Sequence, residues 1–167
     1  MPHTTHLTRE DADIDELLAL VPGWLGRPLT AADGLPAAQV NAAVARLADQ
    51  GFAVPPLLRE LHLRIGNCAP LMRHFQRFER PEDWALAVAD DEGLAEDPPV
   101  MFFLDENQSV CQWLVDAQSQ IYMLLNGELP SKNELDKFST PISRHTMLHE
   151  QLATFYRGFR RDAHPMA

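Results

Sequence analysis

Cysteine is scarce in this chain. Cys68 and Cys111 are the only two among 167 residues, too few for a disulfide framework. The expectation is two reduced thiols, one of them buried as a small hydrophobe. Long apolar runs are absent too. No stretch approaches the roughly 20 residues that a membrane-spanning helix needs. The first residues, MPHTTHLTRED, are polar and hold no apolar core of a secretory leader, so the expected location is the cytoplasm. Positive charge is in short supply. Fourteen Lys and Arg face 24 Asp and Glu, a net charge of −10. A nucleic-acid partner would need a broad basic face, which these numbers exclude. Nor is there a glycine-rich phosphate loop, a nucleophile elbow or a CxxC pair.

What is present is an ordinary globular composition, 46% apolar and 23% charged. The length suits one domain, residues 1–167, with a core from Thr8 to Arg160 and short flexible ends. The densest apolar run is PPVMFFLDENQSVCQWLVD, Pro98 to Asp116. Asp105, Glu106, Asn107 and Gln108 interrupt it with turn-forming side chains. This pattern predicts a hairpin, with strands Val100 to Leu104 and Val110 to Val115. The first strand is apolar at every position and is expected inside the sheet, covered on both sides. The second alternates, Val110, Gln112 and Leu114 on one face and Cys111, Trp113 and Val115 on the other. Ile121 to Leu125 reads as a further strand closed by Asn126-Gly127, and His74 to Phe78 as a short one.

Helices are predicted around this sheet. Thr8 caps the first, whose Ile14, Leu17, Leu18 and Val21 recur at helical spacing until Pro22 and Gly23 stop it. A second begins near Pro36 with the stripe Val40, Ala43, Val44 and Leu47, and Gly51 caps its end. A third opens at Pro56 and ends at Gly66, lined by Leu57, Leu58, Leu61 and Ile65, with Glu60 and Arg64 as an i,i+4 pair. Arg80 to Trp84 reads as another helix start. Residues 128–139 read as irregular. The last helix begins near Pro141 and carries Leu148, Leu152, Phe155 and Phe159 on one face. Helices, then a small, mostly antiparallel sheet, then a closing helix make the class α+β.

No catalytic constellation stands out. His145 and His149 share a helix face, but a third metal ligand is missing and Glu150 is misplaced for a zinc-protease motif. A solvated helix face is the expected role. Asp105 and Glu106 are adjacent in a turn, so their side chains diverge, against the needs of an acid/base pair. Trp24, Trp84 and Trp113 read as core. One feature exceeds the background: from Glu79 to Glu106 there are ten acids and a single base, Arg80. The excess charge is therefore concentrated. It serves either as a solvated acidic loop or as a docking face for a basic protein, where complementary charge speeds encounter.

Four segments in order carry a family resemblance. They are Leu25-Gly26-Arg27-Pro28-Leu29, the proline-opened helix PPLLRELHLRIGN, the hairpin MFFLDENQSVCQWLV with Glu106-Asn107-Gln108 and Trp113, and the apolar-striped last helix. Together they resemble the SUKH superfamily, which includes a fungal cell-wall regulator and many bacterial immunity proteins. The resemblance implies a SUKH-like α+β fold, no catalysis and no cofactor. It implies a bacterial immunity protein that binds and neutralises a cognate toxin, expected to be basic. The candidate contact residues are Asp90, Asp91, Glu92, Glu96, Asp97, Asp105, Glu106 and Gln108. The alternative is a regulatory scaffold with several weak partners.

Overall fold

The computed structural model describes residues 9–73, 76–87, 99–106, 108, 110–125 and 148–162. The α+β class holds: helices α1 (Arg9–Leu18), α2 (Val21–Leu25), α3 (Ala37–Ala48), α4 (Pro56–Ile65) and α5 (Ala69–Met72) precede most of a four-stranded sheet, and α6 (Leu148–Asp162) follows it. The strands are β1 (Gln76–Phe78), β2 (Val100–Glu106), β3 (Cys111–Asp116) and β4 (Ile121–Leu125). They lie in sequence order, each antiparallel to the next.

The helical stripes bury the residues their spacing selects. Ile14, Leu17 and Leu18 of α1, Val40, Ala43 and Leu47 of α3, and Leu57, Leu58, Leu61 and Ile65 of α4 are all in the core. Pro22 does not stop a helix, as its sequence position suggests. It opens α2, because a proline in the first turn gives up an N–H that has no helical acceptor anyway. Gly26, at φ +67°, ends that turn. The end of α3 closes as a Schellman motif. Gly51 sits at φ +80°, its N–H donates to the Ala48 carbonyl, and the Phe52 N–H reaches the Leu47 carbonyl at 3.0 Å. The expected Glu60–Arg64 pair does not form. Arg64 reaches Asp15 of α1 at 3.0 Å, and Glu60 pairs with Arg59. Partners on a neighbouring helix can outcompete an intrahelical pair whose gain is only a few tenths of a kcal/mol.

The segment Arg80 to Trp84 is not a helix start. Pro81–Asp83 make one 3-10 turn, after which the chain extends and Leu86 bridges to Met101. Three carbonyls of this turn, from Pro81, Glu82 and Trp84, accept from Nη2 of Arg46 on α3. The hairpin forms where expected, with β2 extended to Glu106. Leu114 lies opposite Phe102 and Tyr122, and Val115 opposite Met101 and Ile121, so the alternation of faces in β3 holds. The register shifts between Phe102 and Leu104, which makes Phe103 a bulge. The bulge turns both Phe103 and Leu104 into buried positions, and this is how a strand can be apolar without interruption. β2 is interior to the sheet as predicted, although Val100 and Phe102 stay half-buried.

One core joins these layers. Leu148, Leu152 and Tyr156 of α6 are buried in the same cluster as the stripes of α1, α3 and α4 and the strand residues Phe78, Met101 and Val115. Tyr156 is fully buried where Phe155 is only half-buried. It stacks on Phe78 with centroids 6.3 Å apart and meets Trp24 at the same separation. The predicted segment 128–139, the Asn126-Gly127 turn, the start at Pro141 and residues His74 and Phe75 lie outside the described residues.

Candidate functional site

The acidic hairpin end can be judged in part. Asp90, Asp91, Glu92, Glu96 and Asp97 lie outside the described residues. Asp105 is buried in β2 and accepts from Arg77 of β1 at 3.1 Å, directly opposite it in the register. Glu106 turns the other way. Its carboxylate accepts the Gln108 N–H at 3.2 Å and the Val110 N–H at 3.4 Å, so it caps the hairpin it belongs to. Gln108 is exposed. The two carboxylates therefore diverge, and both carry out local structural work. Glu79, beside Arg77 at 3.9 Å, is pushed up in pKa by its burial.

Three further polar groups lie in the interior. Asp33 binds Arg27 through two bonds, 2.9 and 2.6 Å, and accepts the Thr30 N–H at 2.8 Å. These donors hold its carboxyl well below the usual range, the Arg27 bond most of all. Asp116 accepts from the N–H groups of Gln118 and Gln120 and from the Tyr122 hydroxyl, and so organises the turn between β3 and β4. His62 is buried with neither ring nitrogen bonded. Its sequence signal was weak, since it stands one residue beyond the Leu61 position of the apolar stripe.

The histidine pair resolves to one half. His149 is half-buried on α6 and its Nε2 is enclosed without a partner, while His145 lies outside the described residues. No group of three or more metal-binding side chains occurs among the described residues. Both cysteines are free thiols, Cys68 buried and Cys111 half-buried. Trp84 is fully enclosed, and Trp24 and Trp113 pack partly against the core. No helix among the described residues is long and apolar enough to cross a membrane.

Cations divide unevenly along the chain. In the first 109 residues eighteen acids face eight bases; in residues 110–167 six face six. Six of the eight arginines of the first part are committed: Arg27 to Asp33, Arg59 to Glu60, Arg64 to Asp15, Arg77 to Asp105, Arg80 to Glu82, and Arg46 to backbone carbonyls, whereas Arg73 is exposed and meets no acid among the described residues. Arg157 of α6 is exposed, and its Nε donates to the Ala153 carbonyl of its own helix at 3.0 Å. Both lysines of the chain, Lys132 and Lys137, also belong to the second part.

The boundary near residue 110 has a counterpart among known proteins. The family model of the citrate synthase C-terminal domain matches residues 110–167. The likeness thus begins at β3, takes in β4 and α6, and spans about a third of the chain. No solved structure matches the chain.

This finding overturns the SUKH resemblance and the function read from it. The immunity function and the absence of catalysis rested on that resemblance, and the matched family is an enzyme family instead. The structure shows why the quoted segments misled. Gly26 ends a short helix, Pro56 opens one, and Glu106 caps a hairpin. Trp113 pairs across the sheet with Leu104 and Met123. Each residue follows from its local backbone, and any α+β domain with these turns would call for similar ones.

Proposed function

We propose that this chain serves citrate-synthase-type metabolism, and that residues 110–167 carry the enzyme-related part. The family match to that segment is the observation that supports the reading. The charge distribution agrees with it. Citrate is a tricarboxylate, and its recognition calls for cations that are not already paired. Arginine suits the task best, because its planar fork binds a carboxylate through two parallel bonds. Arg157, whose guanidinium bonds a backbone carbonyl but no carboxylate among the described residues, lies on the exposed side of α6, whose other side is held in the core by Leu148, Leu152 and Tyr156. A ligand group mounted on a helix fixed in this way is well positioned.

The test is a pair of measurements on the purified full chain. Carbon-13 NMR follows citrate formation from the substrates of citrate synthesis, and equilibrium dialysis follows binding of labelled citrate. Saturable binding is expected, weakened about tenfold in Arg157→Ala, as the loss of one charge-assisted hydrogen bond predicts. A chain that neither forms nor binds citrate would overturn the proposal.

A further inference from the structure

His62 occupies an unusual position for an imidazole. It is 1% exposed, and neither Nδ1 nor Nε2 has a hydrogen-bond partner. Its ring is met at nearly a right angle by Trp84, with centroids 5.1 Å apart, and by Phe78 at 6.4 Å. Its backbone is fixed, because the His62 carbonyl accepts from both Leu35 and Gly66. The ring thus forms the contact between α4 and the stretch from Phe78 to Trp84.

The charged groups on every side are turned elsewhere. Arg80, just before the 3-10 turn, and Glu82 within it pair with each other at 2.7 Å. Arg77 of β1 pairs with Asp105, and Arg46 of α3 donates to the carbonyls of Pro81 and Trp84. On α4 itself, Arg59 is bound to Glu60 and Arg64 to Asp15. Glu79 offers its backbone carbonyl to the Trp84 indole N–H at 3.2 Å. A neutral imidazole fits this apolar slot, whereas a charged one would be a buried cation with no counter-ion.

We infer that His62 is an acid-sensitive release point: when its ring is charged, the Pro81–Trp84 turn lifts away from α4 and from the Glu79 carbonyl, pivoting on its Arg46 anchor. Burial is the main cause that lowers the ring's pKa, with Arg80 adding to it and Glu82 opposing it, to about 4. Once the turn has lifted, the ring meets water and regains an ordinary value near 6.5. The lifted state therefore binds a proton that the closed state excludes. It is favoured progressively as pH falls from about 6.5 towards 4, and by roughly thirtyfold at pH 5. The lift would bare Trp84 and loosen the lead into β2, where Ala87 and Leu86 pair with Val100 and Met101.

Hydrogen exchange by NMR tests this on the full chain. The Trp84 indole N–H reports the lift, and the Phe52 N–H, bonded to the Leu47 carbonyl in the closing turn of α3, reports global unfolding. Between pH 7 and pH 5, corrected for intrinsic exchange, protection at Trp84 should fall about twentyfold while that of Phe52 holds. The proximity signal between the His62 and Trp84 rings should fade over the same range. His62→Phe should make the Trp84 profile flat, and His62→Leu serves where the phenylalanine variant does not fold. The inference is overturned if Trp84 and Phe52 lose protection together. It is equally overturned if the variants decline as steeply as the parent, or if the ring becomes charged while still in contact with Trp84. The comparison of Trp84 with Phe52 in the parent protein decides the matter without any variant.

Discussion

Tyr156 of α6 lies nearly parallel to Phe78 of β1, with an interplanar angle of 14°. The stack ties the segment that resembles citrate synthase to the part of the chain that does not. Its hydroxyl is fully buried and, among the described residues, finds only the Met72 sulfur, at 4.0 Å. Burial drives the phenol's pKa far up, so it stays protonated at any working pH. The ring therefore matters far more than the oxygen. Tyr156→Ala should cost about 3–5 kcal/mol in urea unfolding, as for other large aromatic truncations. Tyr156→Phe should shift stability by less than about 1 kcal/mol, since a thioether is a poor acceptor. A large loss in the phenylalanine variant would mean that the hydroxyl has a role beyond packing.

Two glycines make opposite demands. Gly51 sits at φ +80° with open space where a Cβ would go, so Gly51→Ala meets only backbone strain, about 1–2 kcal/mol. Gly34 has an ordinary φ of −86°, yet a Cβ there would lie 1.8 Å from the Leu63 carbonyl oxygen. Something must move in α4 or in the turn before it. Gly34→Ala should therefore be the worse variant, at about 3 kcal/mol or more. Thermal melts of the two alanine variants rank them directly.

The Arg27–Asp33 pair makes a prediction about acid. Asp33 has a folded pKa below its unfolded value, so its stabilising contribution is present above about pH 3.9 and is lost as pH falls further. Asp33→Asn should lower the urea midpoint at pH 7, and the gap between variant and parent should narrow below pH 3. A constant gap across that range would show that the carboxylate's charge is not what matters.

The thiols differ in access. Burial raises the pKa of both Cys68 and Cys111, and Glu106 and Asp105 raise that of Cys111 further. Both should react sluggishly with a thiol reagent at pH 7, because the thiolate is the reactive form. Cys111, half-buried, should react first, and Cys68 only when the protein opens. Mass spectrometry of partly labelled protein would reveal the order.

Much of the architecture can be read from residue spacing. The stripes of α1, α3 and α4, the hairpin, and β4 all follow from it, because burial of one face imposes a period on the sequence. What spacing misses is competition between equally good local options. Pro22 could stop α1 or open α2, and only the docking of Val21 into the core selects the second. In α6 the register through Phe155 and the one through Tyr156 are both apolar, and the stack on Phe78 decides between them. The bulge at Phe103 has no glycine or proline to mark it. The candidate site was harder still. His62 looks like any helical polar residue until the rings of Phe78 and Trp84, distant in sequence, enclose it. Arg157 becomes notable only when most of the described arginines are seen to be paired with acids.

The bridging of the core by α6 bears on how the chain is made. The stripes of α1, α3 and α4 are synthesised first, and the helix that seals them comes last in the described order. Contacts so distant in sequence form late and slowly. While the chain is on the ribosome, the apolar surfaces around Trp24, Phe78 and Met72 must wait uncovered until Tyr156 has emerged. A nascent chain halted short of α6 should thus bind chaperones and be cut readily by proteases, and resistance should appear in one step once that helix is free of the exit tunnel.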